Sequence, residues 1–276
     1  MGITMTSVVP AAVDELFAWY SRPGSFHRLL PPWLPIRMVS EPSFPEDRRV
    51  RLRLPGGVRW ETELEEWTPP NRFVERLVSL PVPWHHTHEF RAESQNTTLV
   101  VDTVRTPLPS SVLRQPFRFR HRQLADDLKT QAVMRALMPK PATVAITGSS
   151  GLVGSALCSL LSTAGNRVIH LVRRAPRNTS ERRWDPAAPE QDLLSGVDAV
   201  VHLAGASVGG RFTPGHKRAI RESRIGPTEN LARLMRSMAQ PPHVFVVASA
   251  IGYYGADAGD HWLDETSPPG SDFLAQ

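Results

Sequence analysis

The run Thr143-Val144-Ala145-Ile146-Thr147 passes directly into Gly148-Ser149-Ser150-Gly151-Leu152-Val153-Gly154 and then into the apolar stretch SALCSLLSTAG. Few folds accommodate a short apolar strand, a glycine loop and a helix in immediate succession. Each glycine has its own reason to be there: Gly148 permits a tight exit from the strand, Gly151 lets backbone approach a diphosphate, and Gly154 lets helix pack on strand. The helix N-terminus then offers N–H groups and the positive end of a dipole, so an anion is favoured there without any basic side chain. Gly165 is placed to end the helix, and Arg167 to Val172 supplies the next strand of a βαβ unit. The order predicts a dinucleotide site formed by Thr147, Gly148, Ser149, Ser150, Gly151, Leu152, Val153 and Gly154.

The end of the second strand bears on which dinucleotide. An Asp or Glu there would accept hydrogen bonds from the adenosine ribose and repel a 2′-phosphate; this chain has Arg173 and Arg174 instead. Two guanidinium groups suit a 2′-phosphate, so NADP(H) is expected over NAD(H), the alternative being that one or both point to water. Two further near-continuous apolar runs, Asp198 to Gly205 and His243 to Ser249, read as strands buried on both faces, and helical stretches such as Asn230 to Met238 separate them. The half from 139 to 276 is thus expected to be an α/β doubly wound parallel sheet.

The half from 1 to 138 reads differently. Ile3 to Val9 is a strand, and after Pro10 the residues Val13, Leu16, Phe17 and Tyr20 recur at helical spacing. Six β-type segments follow, Ile36 to Val39, Val50 to Leu54, Val58 to Trp67, Arg72 to Leu80, His85 to Phe90 and Thr97 to Val104, separated by Pro, Gly or Asn clusters. From Ser110 to about Met138 the period is helical again, with Val112, Leu113, Phe117, Leu124, Leu128, Val133 and Leu137 marking one broad apolar side. An antiparallel sheet curled around a long helix is an α+β arrangement with a natural place for an apolar ligand between the two. Trp84, His86, His88 and Phe90 alternate along one strand and share a face, with His85 on the other. Two such histidines can hold a metal, but no Cys or third ligand at a recognisable spacing accompanies them, so no metal is expected, and cavity lining or core packing is preferred. Trp19, Trp33, Trp60 and Trp67 are expected in the core.

Bulk properties exclude more than they identify. The net charge of +5 divides into +3 for residues 1–138 and +2 for residues 139–276, so neither half is a basic module, and Arg114, Arg118, Arg120 and Arg122 are read as a solvated helix face. No nucleic-acid partner is expected. The N-terminus lacks a basic segment followed by an apolar one, and no stretch has the ~18 apolar residues of a membrane span, so no membrane association is expected and a cytoplasmic location is. The single cysteine, Cys158, excludes an internal disulfide and sits in an apolar helical run.

Two resemblances are visible. Residues 1–138, with Ser21-Arg22-Pro23-Gly24 and Pro31-Pro32-Trp33, resemble a START-like helix-grip domain of the polyketide-cyclase and birch-pollen-allergen type, which implies a hydrophobic small-molecule ligand. Residues 143–276 resemble the epimerase-like branch of the extended short-chain dehydrogenase/reductase superfamily. That likeness is carried by Thr147 to Gly154, by His202-Leu203-Ala204-Gly205, by Ser223-Arg224-Ile225 and Thr228, and by Ser249-Ala250-Ile251-Gly252-Tyr253-Tyr254-Gly255. It implies a Rossmann-type fold, adds Leu203, Ala204, Gly205 and Arg224 to the cofactor residues, and makes Ser249, Tyr253 and Tyr254 the catalytic candidates.

Departures qualify the catalytic part. The superfamily's Ser normally precedes its Tyr-Gly pair by four positions, where this chain has Ala250, with Ser249 one step early, and no Tyr-x-x-x-Lys follows. Arg224 replaces the usual Asn; it either contacts phosphate or substrate, or pairs with Glu222 or Glu229. Gln276 follows Phe273-Leu274-Ala275 with no stop signal, so the sheet is expected to be incomplete and the chain a fragment of a longer reading frame. Three functions remain open: an NADP(H)-dependent oxidoreductase or epimerase-like enzyme coupled to a hydrophobic-ligand domain, a nucleotide-binding sensor or scaffold without turnover, and a hydrophobic-ligand carrier.

Overall fold

A computed structural model describes residues 2–40, 44–257 and 259–276. Contacts divide the chain into two compact units, Met1–Pro141 with Ser155–Arg167, and Ala142–Gly154 with Val168–Gln276. Ser155–Arg167 joins the first through bonds such as Gln131 Nε2 to Thr163 Oγ1, 2.9 Å.

In the first unit β1 (Gly2–Val9) leads into α1 (Val13–Ser21) and the short α2 (Ser25–Leu29). Six more strands follow, β2 (Arg37–Ser40), β3 (Arg49–Arg53), β4 (Arg59–Thr68), β5 (Arg72–Leu77), β6 (His85–Ser94) and β7 (Thr97–Arg105), and then the 28-residue helix α3 (Ser110–Leu137). They form one antiparallel sheet in the order β1-β7-β6-β5-β4-β3-β2. Alternation along β7 sets the faces: Thr98, Val100, Asp102 and Val104 are buried while their neighbours are not. Leu16, Phe17, Trp19 and Tyr20 of α1 pack with Phe73, Phe90 and Val100 of the sheet and Leu124 and Leu128 of α3. Each such side chain removed from water contributes about 1.5–3 kcal/mol.

Three readings of this unit need correction. Val112, Val133 and Leu137 are exposed, and the buried stripe of α3 runs Leu113, Phe117, His121, Leu124, Leu128, Gln131. The helical period was right, but three polar residues, His121, Asp127 and Gln131, occupy inward positions that a count of apolar residues passes over. Trp33 is 49% exposed and packs edge-on against Phe119 at 5.0 Å, whereas Trp19 is fully buried. The basic segment also divides, since Arg114, Arg118 and Arg122 are exposed while Arg120 is half-buried with its guanidinium 5.6 Å from the Phe117 ring centroid.

The second unit holds a five-stranded sheet in the order β10-β9-β8-β11-β12, from β8 (Thr143–Thr147), β9 (Arg167–Val172), β10 (Glu181–Arg183), β11 (Ala199–His202) and β12 (Val244–Val247). The β9–β10, β8–β11 and β11–β12 pairs all run parallel. Helix α4 (Leu152–Thr163) begins here with Leu152–Gly154 and belongs to the first unit from Ser155 on, while two helices of this unit follow in the chain, α5 (Pro214–Glu222) and α6 (Ile225–Ser237). Thr213 starts α5 by accepting a bond from His216 N at 3.2 Å, with Pro214 at the first helical position. Ala145, Ile169, Leu171, Val200, Leu231 and Leu234 close around Trp184, Leu193 and Leu194. The expectation that the last strand is buried on both faces fails: Val244, Val246 and Val247 of β12, one of the sheet's two edge strands among the described residues, are 48%, 48% and 41% exposed. Among the described residues no helix is long and apolar enough to cross a membrane.

Candidate functional site

Sheet order creates the crevice. Strand β8 lies between β9 and β11, so the chain leaves it toward opposite sides before and after, the switch point at which open α/β sheets bind ligands. Register then aligns the strand ends: Thr147 pairs with His202, and His202 with Val247. Gly148, Leu203 and Ala248 therefore start their loops from one rung, and Ser249 follows one residue later.

The bend after β8 is closed to side chains. Gly148 has φ +68, and a Cβ on it would lie 2.8 Å from Ala204 N. A Cβ on Gly154 would lie 2.2 Å from the carbonyl oxygen of Gly148, and one on Gly151 3.2 Å from the same oxygen. Gly151 N donates to that oxygen at 2.9 Å, which fixes the turn from which α4 starts. Leu152 and Val153, in the first turn of α4, are 90% and 64% exposed, and Ser150 is exposed beside them. The bend thus presents small residues and a helix start at the open edge, as an approaching diphosphate requires.

Thr147 has a different task from the rest of its segment. It is fully buried; its Oγ1 accepts bonds from Leu203 N (3.1 Å) and Ala204 N (3.2 Å) and lies 2.6 Å from His202 Nδ1. With both lone pairs engaged, the hydroxyl proton goes to Nδ1, which places the imidazole proton on Nε2. Burial, and secondarily Arg224, lowers the His202 pKa, so the ring stays neutral. Thr147 ties the glycine bend to the Leu203-Ala204-Gly205 loop.

At the end of β9 the two arginines part company. Arg174 forms a bidentate pair with Glu181, Nη1 to Oε2 at 2.7 Å and Nη2 to Oε1 at 2.5 Å. This bond, with one from Arg177 N, holds the Glu181 pKa down to about 2. Arg173 is exposed, and no ion pair forms at its guanidinium among the described residues. Arg224 pairs with neither Glu222 nor Glu229; it donates to Ile220 O at 3.1 Å, and its Cζ would lie 2.9 Å from a Cβ on Gly205. The absent side chain at Gly205 leaves room for that guanidinium. Ser249 is exposed, and Tyr253 and Tyr254 sit on one 3-10 turn, Ile251–Tyr254. The Tyr254 hydroxyl donates to Asp264 O at 2.9 Å, while Tyr253 is 44% exposed.

A second group of polar side chains lies inside the antiparallel unit. His88 on β6 faces Asp102 on β7, and Glu75 on β5 faces His86 on β6. Around Asp102 the contacts are His88 Nδ1 at 2.7 Å, off the line a hydrogen bond prefers, His121 Nε2 at 3.2 Å and His86 Nε2 at 3.6 Å. Ser7 Oγ is 2.6 Å from His121 Nδ1. Burial alone raises Asp102, yet His88, His121 and His86 together hold it well below the usual carboxylate range. Burial, then His88, lowers His86 to about 4, and burial raises Glu75. The sequence singled out His86 and His88; Glu75, Asp102 and His121 were missed, and an inward register position in the neighbouring strand was the signal for the first two.

The second unit is similar to dinucleotide-binding proteins of the epimerase/dehydratase type: residues 144–273 match the model of the NAD dependent epimerase/dehydratase family. An epimerase family protein of Mycobacterium bovis is 44% identical over 138 residues, 49% of this chain and 45% of its own length. One of Bacillus subtilis is 33% identical over 138 residues, 48% of this chain and 45% of its own length. The crystal structure of a nucleoside-diphosphate sugar epimerase from Corynebacterium glutamicum matches 99% of this chain and 60% of that one, at 39% identity and a TM-score of 0.89. The chain spans less than half the length of these curated relatives.

Proposed function

We propose that the second unit binds NADP(H) at the edge formed by the glycine bend, Leu203 to Gly205 and Arg173, and that the protein is an NAD(P)-dependent, epimerase-like oxidoreductase. The observation that carries this is the bend itself: Gly148 and Gly154 are packed so closely that neither tolerates a Cβ, directly at the switch point. Bound there, a nicotinamide cofactor supplies hydride exchange. The chain's own residues orient it: the α4 N-terminus faces the diphosphate, Thr147 fixes the loop that forms the opposite wall, and Arg224 beside Gly205 adds positive charge. Preference for a 2′-phosphate rests on Arg173, since Glu181 already neutralises Arg174.

Binding without turnover is the second reading, favoured by one observation. Neither tyrosine has a lysine four residues on, the positions being Asp257 and Ala258, and the Tyr254 hydroxyl is already bonded to Asp264 O. For the first unit we propose a START-like helix-grip domain for a hydrophobic small molecule. An open depression of about 580 Å³, lined by Phe17, Phe44, Trp67 and Pro70 among others, supports it. The single cysteine suits a cytoplasmic setting.

Nucleotide fluorescence titration tests the cofactor reading. The unmodified chain should bind NADPH more tightly than NADH, Gly154→Ala should lose both, and Arg173→Glu should weaken NADPH about 10-fold or more with NADH little changed. Equal affinity for both nucleotides in every variant overturns it.

A further inference from the structure

His86 and His88 alone are one ligand short of a metal site, and the sheet supplies the third. Glu75 stands directly opposite His86 in the β5–β6 ladder, so its carboxylate and both imidazoles issue from the same face. All three side chains are buried, and one donor atom from each lies within 4.8 Å of the other two. We propose that Glu75, His86 and His88 bind a divalent first-row transition ion of the zinc class inside the antiparallel unit, with Asp102 orienting His88.

The donor set has the right chemistry. Two imidazole nitrogens and one carboxylate oxygen suit Zn2+ and its neighbours, and three protein ligands leave a coordination position open. Bond lengths of ~2.1 Å put tetrahedral donors ~3.4 Å apart, so the widest pair closes by at most about 1.4 Å on binding. Surroundings point the same way. A ligating histidine almost always has its other ring nitrogen held by a carboxylate or carbonyl; Asp102 Oδ1 lies 2.7 Å from His88 Nδ1, near enough to hold it once the ring turns into line, which leaves Nε2 for the ion. His86 Nε2 is buried without a hydrogen-bond partner, a costly state that a Lewis acid relieves. Asp102 and Glu75 against Arg120 give the pocket one net negative charge when the imidazoles are neutral, and neutral imidazole is the form that ligates.

Equilibrium dialysis of the chelator-treated chain against Zn2+, with metal analysis, and titration with Co2+ followed by visible absorption test the site. One tightly held equivalent of Zn2+ and a d–d spectrum of low-symmetry Co2+ are expected. Glu75→Gln and His88→Gln should lose both, His85→Gln, exposed on the opposite face of β6, should keep both, and Asp102→Asn should weaken the ion about 10-fold to 100-fold. A second readout needs no substitution: proton NMR of the Co2+-loaded chain should show strongly shifted imidazole N–H signals from two histidines. An unmodified chain that holds no Zn2+ above the buffer overturns the proposal. So does a Co2+ form without those signals, or a Glu75→Gln chain that binds as tightly as His85→Gln.

Discussion

Thr147→Val isolates the contact that joins the two loops of the candidate nucleotide site. Valine keeps the shape and removes the hydroxyl, which engages Leu203 N, Ala204 N and His202 Nδ1. Leu203 N retains the Thr147 carbonyl at 3.3 Å. Two groups then lose their partner: the amide of half-buried Ala204 and the Nδ1 of buried His202. Each unsatisfied buried group costs about 1–3 kcal/mol, with Ala204 at the low end, so the variant should lose about 2–4 kcal/mol. Thr147→Ser restores the hydroxyl and should recover most of that, leaving about 1 kcal/mol for the missing methyl. Urea unfolding followed by circular dichroism gives the energies, and amide exchange at Ala204 gives the location. A loss below about 0.5 kcal/mol for valine, or a serine variant as weak as valine, refutes the assignment of Thr147 as the tie.

Two further outcomes are expected. Gly226 lies in the first turn of α6 with no atom within 4 Å of where an added methyl would stand, so Gly226→Ala should raise stability by about 0.5–1 kcal/mol; a lowered melting temperature contradicts this. The folded pKa of His202 lies below its ordinary value of 6.5, so unfolding takes up a proton. Stability from this group is therefore complete above pH 6.5 and declines as pH falls from there toward the folded pKa. The His202 imidazole resonance should accordingly titrate below 6.5, and a midpoint at or above that value disproves the burial argument.

What the sequence disclosed depended on how local each signal was. Strand, glycine loop and helix over Thr143 to Thr163 are contiguous, and each glycine answers a steric demand within a few residues of itself. The alternation of β6 and β7 was equally plain, because period two is written along a single strand. Cross-strand facts were not legible: Glu75 meets His86 only through antiparallel register, and Arg174 meets Glu181 only after β10 turns back beside β9. Strand β10, Glu-Arg-Arg, has no apolar signal at all. The outward set on β12 misled for the opposite cause, since an apolar run announces burial only when something stands on both sides of it. His121 and Gln131 escaped because a stripe counted by hydrophobicity omits polar residues whose partners lie inside.

The position of β12 at the sheet's margin carries a further consequence. Among the described residues β12, like β10 at the other margin, is hydrogen-bonded on one side only, so both should open to solvent before β8, which is flanked by β9 and β11. The glycine turn is thus anchored to the middle of the sheet, whereas the Ser249–Tyr254 stretch hangs from one of its two hems. Loosening along that hem would disorder the tyrosines long before it disturbed the grip on a nucleotide.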